Sequence, residues 1–386
     1  INQPTMIKNN RLVALMIAAA SVATMTAANP ADIIAKVKTT AAPDARQIVY
    51  EISVSETNPA VIKGQTSEQY VKDELIRQLN EAKINFIDSI NVLPSDKWAQ
   101  VRISGAHIRV APGHASEMAT QGIMGQPIRL LEDRGGWWRV QTPDGYIGYI
   151  VDNSLVEKTA DEMAAWRKAN RVIVTAPYQT RVYYTPELKG ARNVVSDVVN
   201  GNILLGKKVE GKNITEVELP DGRKGYISSD DIENLDQWAA QPFDADKILE
   251  LAYSMEGTPY YWGGNTVKML DCSGLSKTCY FHNGIILMRD ASQQATTGEI
   301  FKPEQWRQCE PGDLLFFGNP KTGRVTHVAI YDRDGNYIHS SGRVKRNSID
   351  PEAEGYLSTP FLSFSRIKNS IGGRGITRVA DHPWYF

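Results

Sequence analysis

A cysteine followed at a distance by two histidines is the part of this sequence able to do covalent chemistry. Cys272 stands in Leu270-Asp271-Cys272-Ser273-Gly274-Leu275, and His327 and His339 follow it. A thiol becomes a working nucleophile near neutral pH when its pKa is lowered, and the first turn of a helix with a nearby imidazolium does that. Asp271 is a suitable N-cap, Leu275 and Cys279 recur four apart, and Asn283-Gly284 closes the run. That spacing predicts a helix with Cys272 in its first turn, where free N–H groups would also receive an oxyanion. A free cysteine is more often a buried structural residue, and Cys279 and Cys309 are read that way. The small, polar neighbours of Cys272 argue against it there.

The elements that must bring the imidazoles to the thiol read as a hairpin. Val325 to Tyr331 and Tyr337 to Ser340 are strand-like and flank Asp332-Arg333-Asp334-Gly335-Asn336. A two-residue Asp334-Gly335 loop would pair His339 with Ile330 and put the two histidines on opposite faces. A three-residue loop, Arg333 to Gly335 with Gly335 left-handed, pairs His339 with Ala329 instead. The histidines are then diagonal neighbours on one face, roughly 7–8 Å apart at Cα. The chemistry predicts the odd-length loop, with His327 as the base for Cys272 and His339 bonded to the far ring nitrogen, fixing its tautomer. These residues imply a cysteine peptidase. A metal site is not expected, because the Cys and His spacings lack the short ligand pair of zinc motifs. His107, His114, His282 and His382 lack such partners and read as surface or core residues.

Pro259-Tyr260-Tyr261-Trp262-Gly263-Gly264, Asp271-Cys272-Ser273-Gly274-Leu275, Arg289-Asp290-Ala291-Ser292-Gln293-Gln294, Pro311-Gly312-Asp313-Leu314-Leu315-Phe316-Phe317, Thr326 to Tyr331 and Ile338-His339 follow one another in that order. Together they resemble the NlpC-type cell-wall cysteine peptidases over roughly residues 243 to 386. The resemblance implies a papain-like α+β fold and cleavage of bonds made by γ-linked D-glutamate in bacterial murein peptides. It implies Cys272 as nucleophile, His327 as base and His339 as the orienting third residue. Tyr260, twelve residues before the cysteine, would assist the oxyanion site. No cofactor is implied.

The rest of the chain is long enough for further domains. With 386 residues, 42% hydrophobic and 23% charged, two to four domains are expected. A net charge of −1 gives no basis for binding nucleic acid or an anionic membrane. Three cysteines make no disulfide framework. Met6 begins Ile7-Lys8-Asn9-Asn10-Arg11, an apolar run follows from Leu12 to Ala23, and small residues continue to Ala28, so residues 6–28 read as a secretory signal too short to span a bilayer. No membrane segment remains after its removal, and the expected location is periplasmic or extracellular. Residues 29–97 read as a small α/β domain: Ile48, Tyr50, Ile52 and Val54 alternate, Thr66-Ser67-Glu68-Gln69 opens a helical run with Val71, Leu75 and Leu79, and Ile84 to Leu93 reads as a strand.

Pro143-Asp144-Gly145-Tyr146-Ile147-Gly148-Tyr149-Ile150 recurs 77 residues later as Pro220-Asp221-Gly222-Arg223-Lys224-Gly225-Tyr226-Ile227. Residues 98–157 resemble a bacterial SH3-like barrel, and 158–240 are read as a second one ahead of the catalytic domain at 243–386. Peptidases so arranged resemble γ-D-glutamyl-L-diamino-acid endopeptidases, which act on murein stem peptides with a free N-terminal L-alanine and release L-Ala-γ-D-Glu. By that resemblance Glu117, a tyrosine of the Asp144 to Tyr149 segment, Asp271 and Ser273 bind the substrate's amine, with Ser292 a further candidate. Tyr149 is preferred to Tyr146. Glu117 reads equally well as a solvated loop charge, and Asp271 as an N-cap. Two other functions remain open, an endopeptidase on the intact murein sacculus and a non-catalytic wall-binding protein. A monomer is expected.

Overall fold

The computed structural model describes residues 29–386, so the export segment assigned to residues 6–28 lies outside the described residues. Asn29 accepts from the N–H of Ala31 and Pro30 occupies the first turn, which together start a helix, Pro30–Ala41, that was not expected. It buries Ile34 and Val37 with Val71, Leu75 and Leu79 of the helix Gln69–Glu81. Both pack on a three-stranded sheet in which β1 (Tyr50–Val54) runs antiparallel to β2 (Ala60–Thr66) and β2 parallel to β3 (Phe86–Val92). No side chain caps the helix Gln69–Glu81, which Thr66-Ser67-Glu68-Gln69 was expected to open. Ser67 Oγ instead accepts from the N–H of Val49, and the Glu68 carboxylate pairs with Arg129 at 3.0 Å.

Two seven-stranded antiparallel sheets follow. The first holds β4 (Trp98–Val101), β5 (Gly105–Arg109), β6 (Met118–Ile123), β7 (Pro127–Asp133), β8 (Trp137–Gln141), β9 (Ile147–Val151) and β10 (Leu155–Lys158). Its order is β10-β4-β7-β8-β9-β5-β6. The second holds β11 (Arg171–Val174), β12 (Gln179–Tyr183), β13 (Val194–Val199), β14 (Ile203–Lys208), β15 (Ile214–Glu218), β16 (Lys224–Ser228) and β17 (Ile232–Asn234), in the order β17-β11-β14-β15-β16-β12-β13. Strand for strand the two orders are the same. The repeated Pro-Asp-Gly segments are the β8–β9 and β15–β16 turns, in which Gly145 (φ 82°) and Gly222 (φ 83°) take the left-handed conformation that suits glycine.

The C-terminal unit sets helices against a six-stranded antiparallel sheet whose strands lie in the order Glu299–Phe301, Phe361–Arg366, Leu314–Asn319, Arg324–Tyr331, Asn336–Ser341, Arg343–Ser348. Leu275 and Cys279 of the helix Cys272–His282 bury against Val328, Ile330 and Ile338 of the sheet and against the helix Ala245–Ser254. The fold is therefore mixed α/β, as expected at that level. No helix among the described residues is long and apolar enough to cross a membrane.

Candidate active site

Asp271 has the expected place and more partners than a cap requires. One carboxylate oxygen accepts from the N–H of Gly274 at 2.7 Å and the other from the N–H of Gly263 at 2.8 Å. Gly274 lies so close to the Gly264 carbonyl that a Cβ there would sit 1.9 Å from its oxygen, so only glycine allows the helix start to seat. Arg289 then clamps the carboxylate with both terminal nitrogens, at 3.1 and 2.6 Å, and also donates to Ser273 Oγ and Thr120 Oγ1. Burial opposes the Arg289 charge, but Asp271 more than offsets this and holds the guanidinium above its ordinary value. Asp271 and Ser273 are thus 5% and 4% exposed and bonded to Arg289, and both still line the cavity that opens on Cys272. Arg289 was not expected as a site residue. The signal lay in its sequence, since a charge directly after Ile285-Ile286-Leu287-Met288 must find a buried partner.

The hairpin has the three-residue loop. Ile330 pairs with Ile338 and Tyr331 with Tyr337, the register that continues to Ala329 opposite His339, and Gly335 has φ 79°. The imidazoles accordingly meet, with His327 Nε2 and His339 Nδ1 2.7 Å apart. His339 Nε2 lies 3.0 Å from Asn347 Oδ1, a partner that sequence reasoning missed. With Asn347 Oδ1 accepting, His339 carries its proton on Nε2, its Nδ1 accepts from His327 Nε2–H, and His327 Nδ1 is left with a free lone pair. That is the tautomer a base needs.

Cys272 sits at the first residue of its helix, 8% exposed, and its sulfur meets the main-chain N–H of Val328, the residue after His327. It makes no hydrogen bond to either histidine among the described residues. The expected lowering of the thiol pKa is also absent. Burial pushes Cys272 up to about 11, the Asp271 charge adds to this, and the Val328 N–H and Arg289 only partly offset them. Burial likewise takes His327 down to about 4, assisted by His339 and Lys345. Both shifts run toward neutral thiol and neutral imidazole, opposite in direction to the lowering that the helix start suggested. Catalytic hydrogen bonds often tighten only once substrate is bound.

A cavity of about 1030 Å³ opens on Cys272. Tyr260 lines it beside the sulfur, its hydroxyl pKa raised by burial and then by Cys272. Glu117 and Ser292 line it too, both exposed. Tyr149 does not, which corrects the preference for it over Tyr146. Tyr149 lies within β9 opposite Arg109 and Arg139, and the Arg139 guanidinium stands over its ring at 5.8 Å. Tyr146 precedes the strand, in the turn, where its buried ring reaches the cavity and its hydroxyl donates to Asp290 at 3.3 Å. Asp290 and Arg46 complete this end, and neither was expected.

Three comparisons bear on this arrangement. Residues 257–366 match the NlpC/P60 family, and residues 108–155 match the bacterial dipeptidyl-peptidase SH3 domain. The chain is 29% identical over 277 residues to a gamma-D-glutamyl-L-lysine dipeptidyl-peptidase of Bacillus cereus, covering 69% of this chain and 79% of that one. It is 28% identical over 263 residues to dipeptidyl-peptidase 6 of Lysinibacillus sphaericus, covering 64% and 90%. A crystal structure of an NlpC/P60 family protein from Bacillus cereus superposes with TM-score 0.60 at 23% identity over 70% of this chain and 99% of that one, a likeness of fold.

Proposed function

We propose, from the premise that this chain carries an NlpC/P60 cysteine peptidase domain and a bacterial dipeptidyl-peptidase SH3 domain, that it hydrolyses the γ-D-glutamyl-L-diamino acid bond of murein stem peptides with a free N-terminal L-alanine. The observation that carries this reading is the acidic end of the cavity, where Glu117 and Asp290 stand within one space that leads to Cys272. A carboxylate facing an ammonium makes a charge-assisted contact that an acylated alanine cannot make, so stems still joined to glycan are refused. Residues 243–386 are read as papain-like and residues 158–240 as a second SH3-like unit, the latter supported by its matching strand order. The chain acts where murein is, outside the cytoplasm.

In the proposed mechanism His327 Nδ1 takes the Cys272 proton as the sulfur attacks the γ-carbonyl carbon. The oxyanion is met by N–H groups of the helix start and by Tyr260. His327 returns its proton to the departing amine of the diamino acid, leaving a γ-glutamyl thioester. Water, deprotonated by His327, then attacks the thioester, L-Ala-γ-D-Glu leaves, and the thiol is restored. His339 and Asn347 hold the His327 ring and tautomer throughout.

Two outcomes test this. In mass-spectrometric digests, L-Ala-γ-D-Glu-L-Lys or its diaminopimelate analogue is cleaved to L-Ala-γ-D-Glu, and the same peptide acetylated on alanine is left intact. Cleavage of both favours action on intact murein, and cleavage of neither the wall-binding alternative. The pH profile follows from the His327 shift and the substrate's amine. His327 must be unprotonated to act, and burial lowers its pKa to about 4, so its base form survives acidification. The expected kcat/KM is flat from about pH 5 to about pH 7, falls below about pH 5 as His327 is protonated, and falls again above about pH 8 as the substrate's α-amine loses the proton that Glu117 and Asp290 read. A fall on the acid side beginning near pH 7 would mean that His327 is not held neutral.

A further inference from the structure

We infer that the N-terminal unit is part of the substrate site and that Arg46 is the positioning residue through which it acts, holding Asp290 and Ser292 as the wall that faces the substrate's ammonium group. The inference rests on the amine-selective reading above and adds to it a unit, residues 29–97, that the reading does not use. The turn Asp44-Ala45-Arg46-Gln47 is fastened to the first seven-stranded sheet by its main chain. The N–H of Ile147 donates to the Arg46 carbonyl at 2.7 Å, and Gln141 Nε2 donates to the Gln47 carbonyl at 2.9 Å. The guanidinium then divides its donors. Nε and Nη2 each donate to one oxygen of Asp44 at 2.8 Å, and Nη1 donates to Asp290 Oδ2 at 2.7 Å and to Ser292 Oγ at 3.1 Å. Gln293 Nε2 closes the ring on Asp44 Oδ2 at 2.8 Å. Three separate parts of the chain meet at this one residue, two on its side chain and one on its carbonyl.

An isolated surface ion pair fixes little, because its long side chains are free to part. Here one edge of the fork is locked on Asp44, so the other edge can point in only one direction. The charge of this end also decides what it suits. Asp44, Asp290 and Glu117 leave two net negative charges against Arg46, and one if Arg324, which also lines the cavity, is counted, and Arg46 has no unpaired charge to offer an anion. The wall therefore suits a cation, and Arg46 aims Asp290 rather than binding substrate itself. Without the fork, Asp290 keeps its 3.3 Å bond from Tyr146 and its capping contact at the start of Ala291–Gln294 but loses its ion pair, so its outer oxygen is no longer aimed.

The test uses the full chain as wild type, Arg46→Ala and Arg46→Lys, with free and N-acetylated tripeptide, each variant melted to check its fold. Arg46→Ala should raise KM for the free peptide by about tenfold with kcat within about twofold, and lower the preference for free over acetylated peptide by a similar factor. Arg46→Lys, which keeps the charge without the fork, should recover part of this. If Arg46→Ala does not fold, Asp44→Asn loosens the same fork and should shift KM in the same direction. An unchanged KM overturns the inference and leaves the peptidase reading standing. A loss of kcat on the free peptide with KM unchanged marks a merely structural role and also overturns it. A wild type inactive on the free peptide overturns the amine-selective reading and this inference with it.

Discussion

Cys272→Ser should fold as the wild type does, bind the free tripeptide with similar affinity, and turn it over at least about 10³-fold more slowly. The substitution exchanges sulfur for a smaller oxygen at a site already 8% exposed, so it removes little packing and no ion pair. What it removes is the nucleophile, and a hydroxyl gives up its proton to an imidazole far less readily than a thiol does. Calorimetric titration of the dipeptide product separates lost binding from lost chemistry. His327→Ala belongs beside Cys272→Ser in magnitude, whereas His339→Ala should cost less, because His339 touches only the far nitrogen of His327. The reverse order would exchange the two roles, and a Cys272→Ser protein with ordinary turnover would end the thiol mechanism.

Arg289→Ala should be the most destabilising single change near the site, at about 3–5 kcal/mol, because it leaves a buried carboxylate without its counter-charge. Arg289 is 1% exposed on its side chain, and among the described residues its two bonds to Asp271 are the only cationic contacts that carboxylate has. The loss would spread to activity, since Asp271 seats the helix start that carries Cys272. Urea unfolding reads the stability, and kcat/KM at low denaturant reads the site. A variant within about 1 kcal/mol of wild type would show that water reaches Asp271.

The helix at Cys272 and the hairpin register were legible because both are local, set by a cap, a glycine and an odd loop length. The repeat of strand order was legible for the same reason, as Pro-Asp-Gly turns recur in the chain. Arg46 and Asp290, by contrast, lie 244 residues apart and meet only through packing, so no spacing announces them. The motif resemblance points to either tyrosine of the Asp144 to Tyr149 segment, with Tyr149 preferred. The strand begins at Ile147, and that one boundary sends Tyr149 to Arg139 and leaves Tyr146 free to cross to the cavity. The direction of the Cys272 shift was not legible, because a helix N-terminus is visible in sequence and the burial that opposes it is not.

The helix with Cys272 at its start also carries Lys277, whose ammonium lies 2.6 Å from Asp144 in the turn that presents Tyr146. Neither partner is appreciably exposed, at 11% and 1% of side-chain surface. Pulling the sheet away from the helix would strand both charges, at a cost of several kcal/mol. The nucleophile and the wall opposite it are therefore bolted into one body, a slot rather than a pair of jaws. Such a slot does not choose its peptide by closing on it, as an induced-fit enzyme does. It sorts by what can enter, so discrimination is complete before any bond is strained.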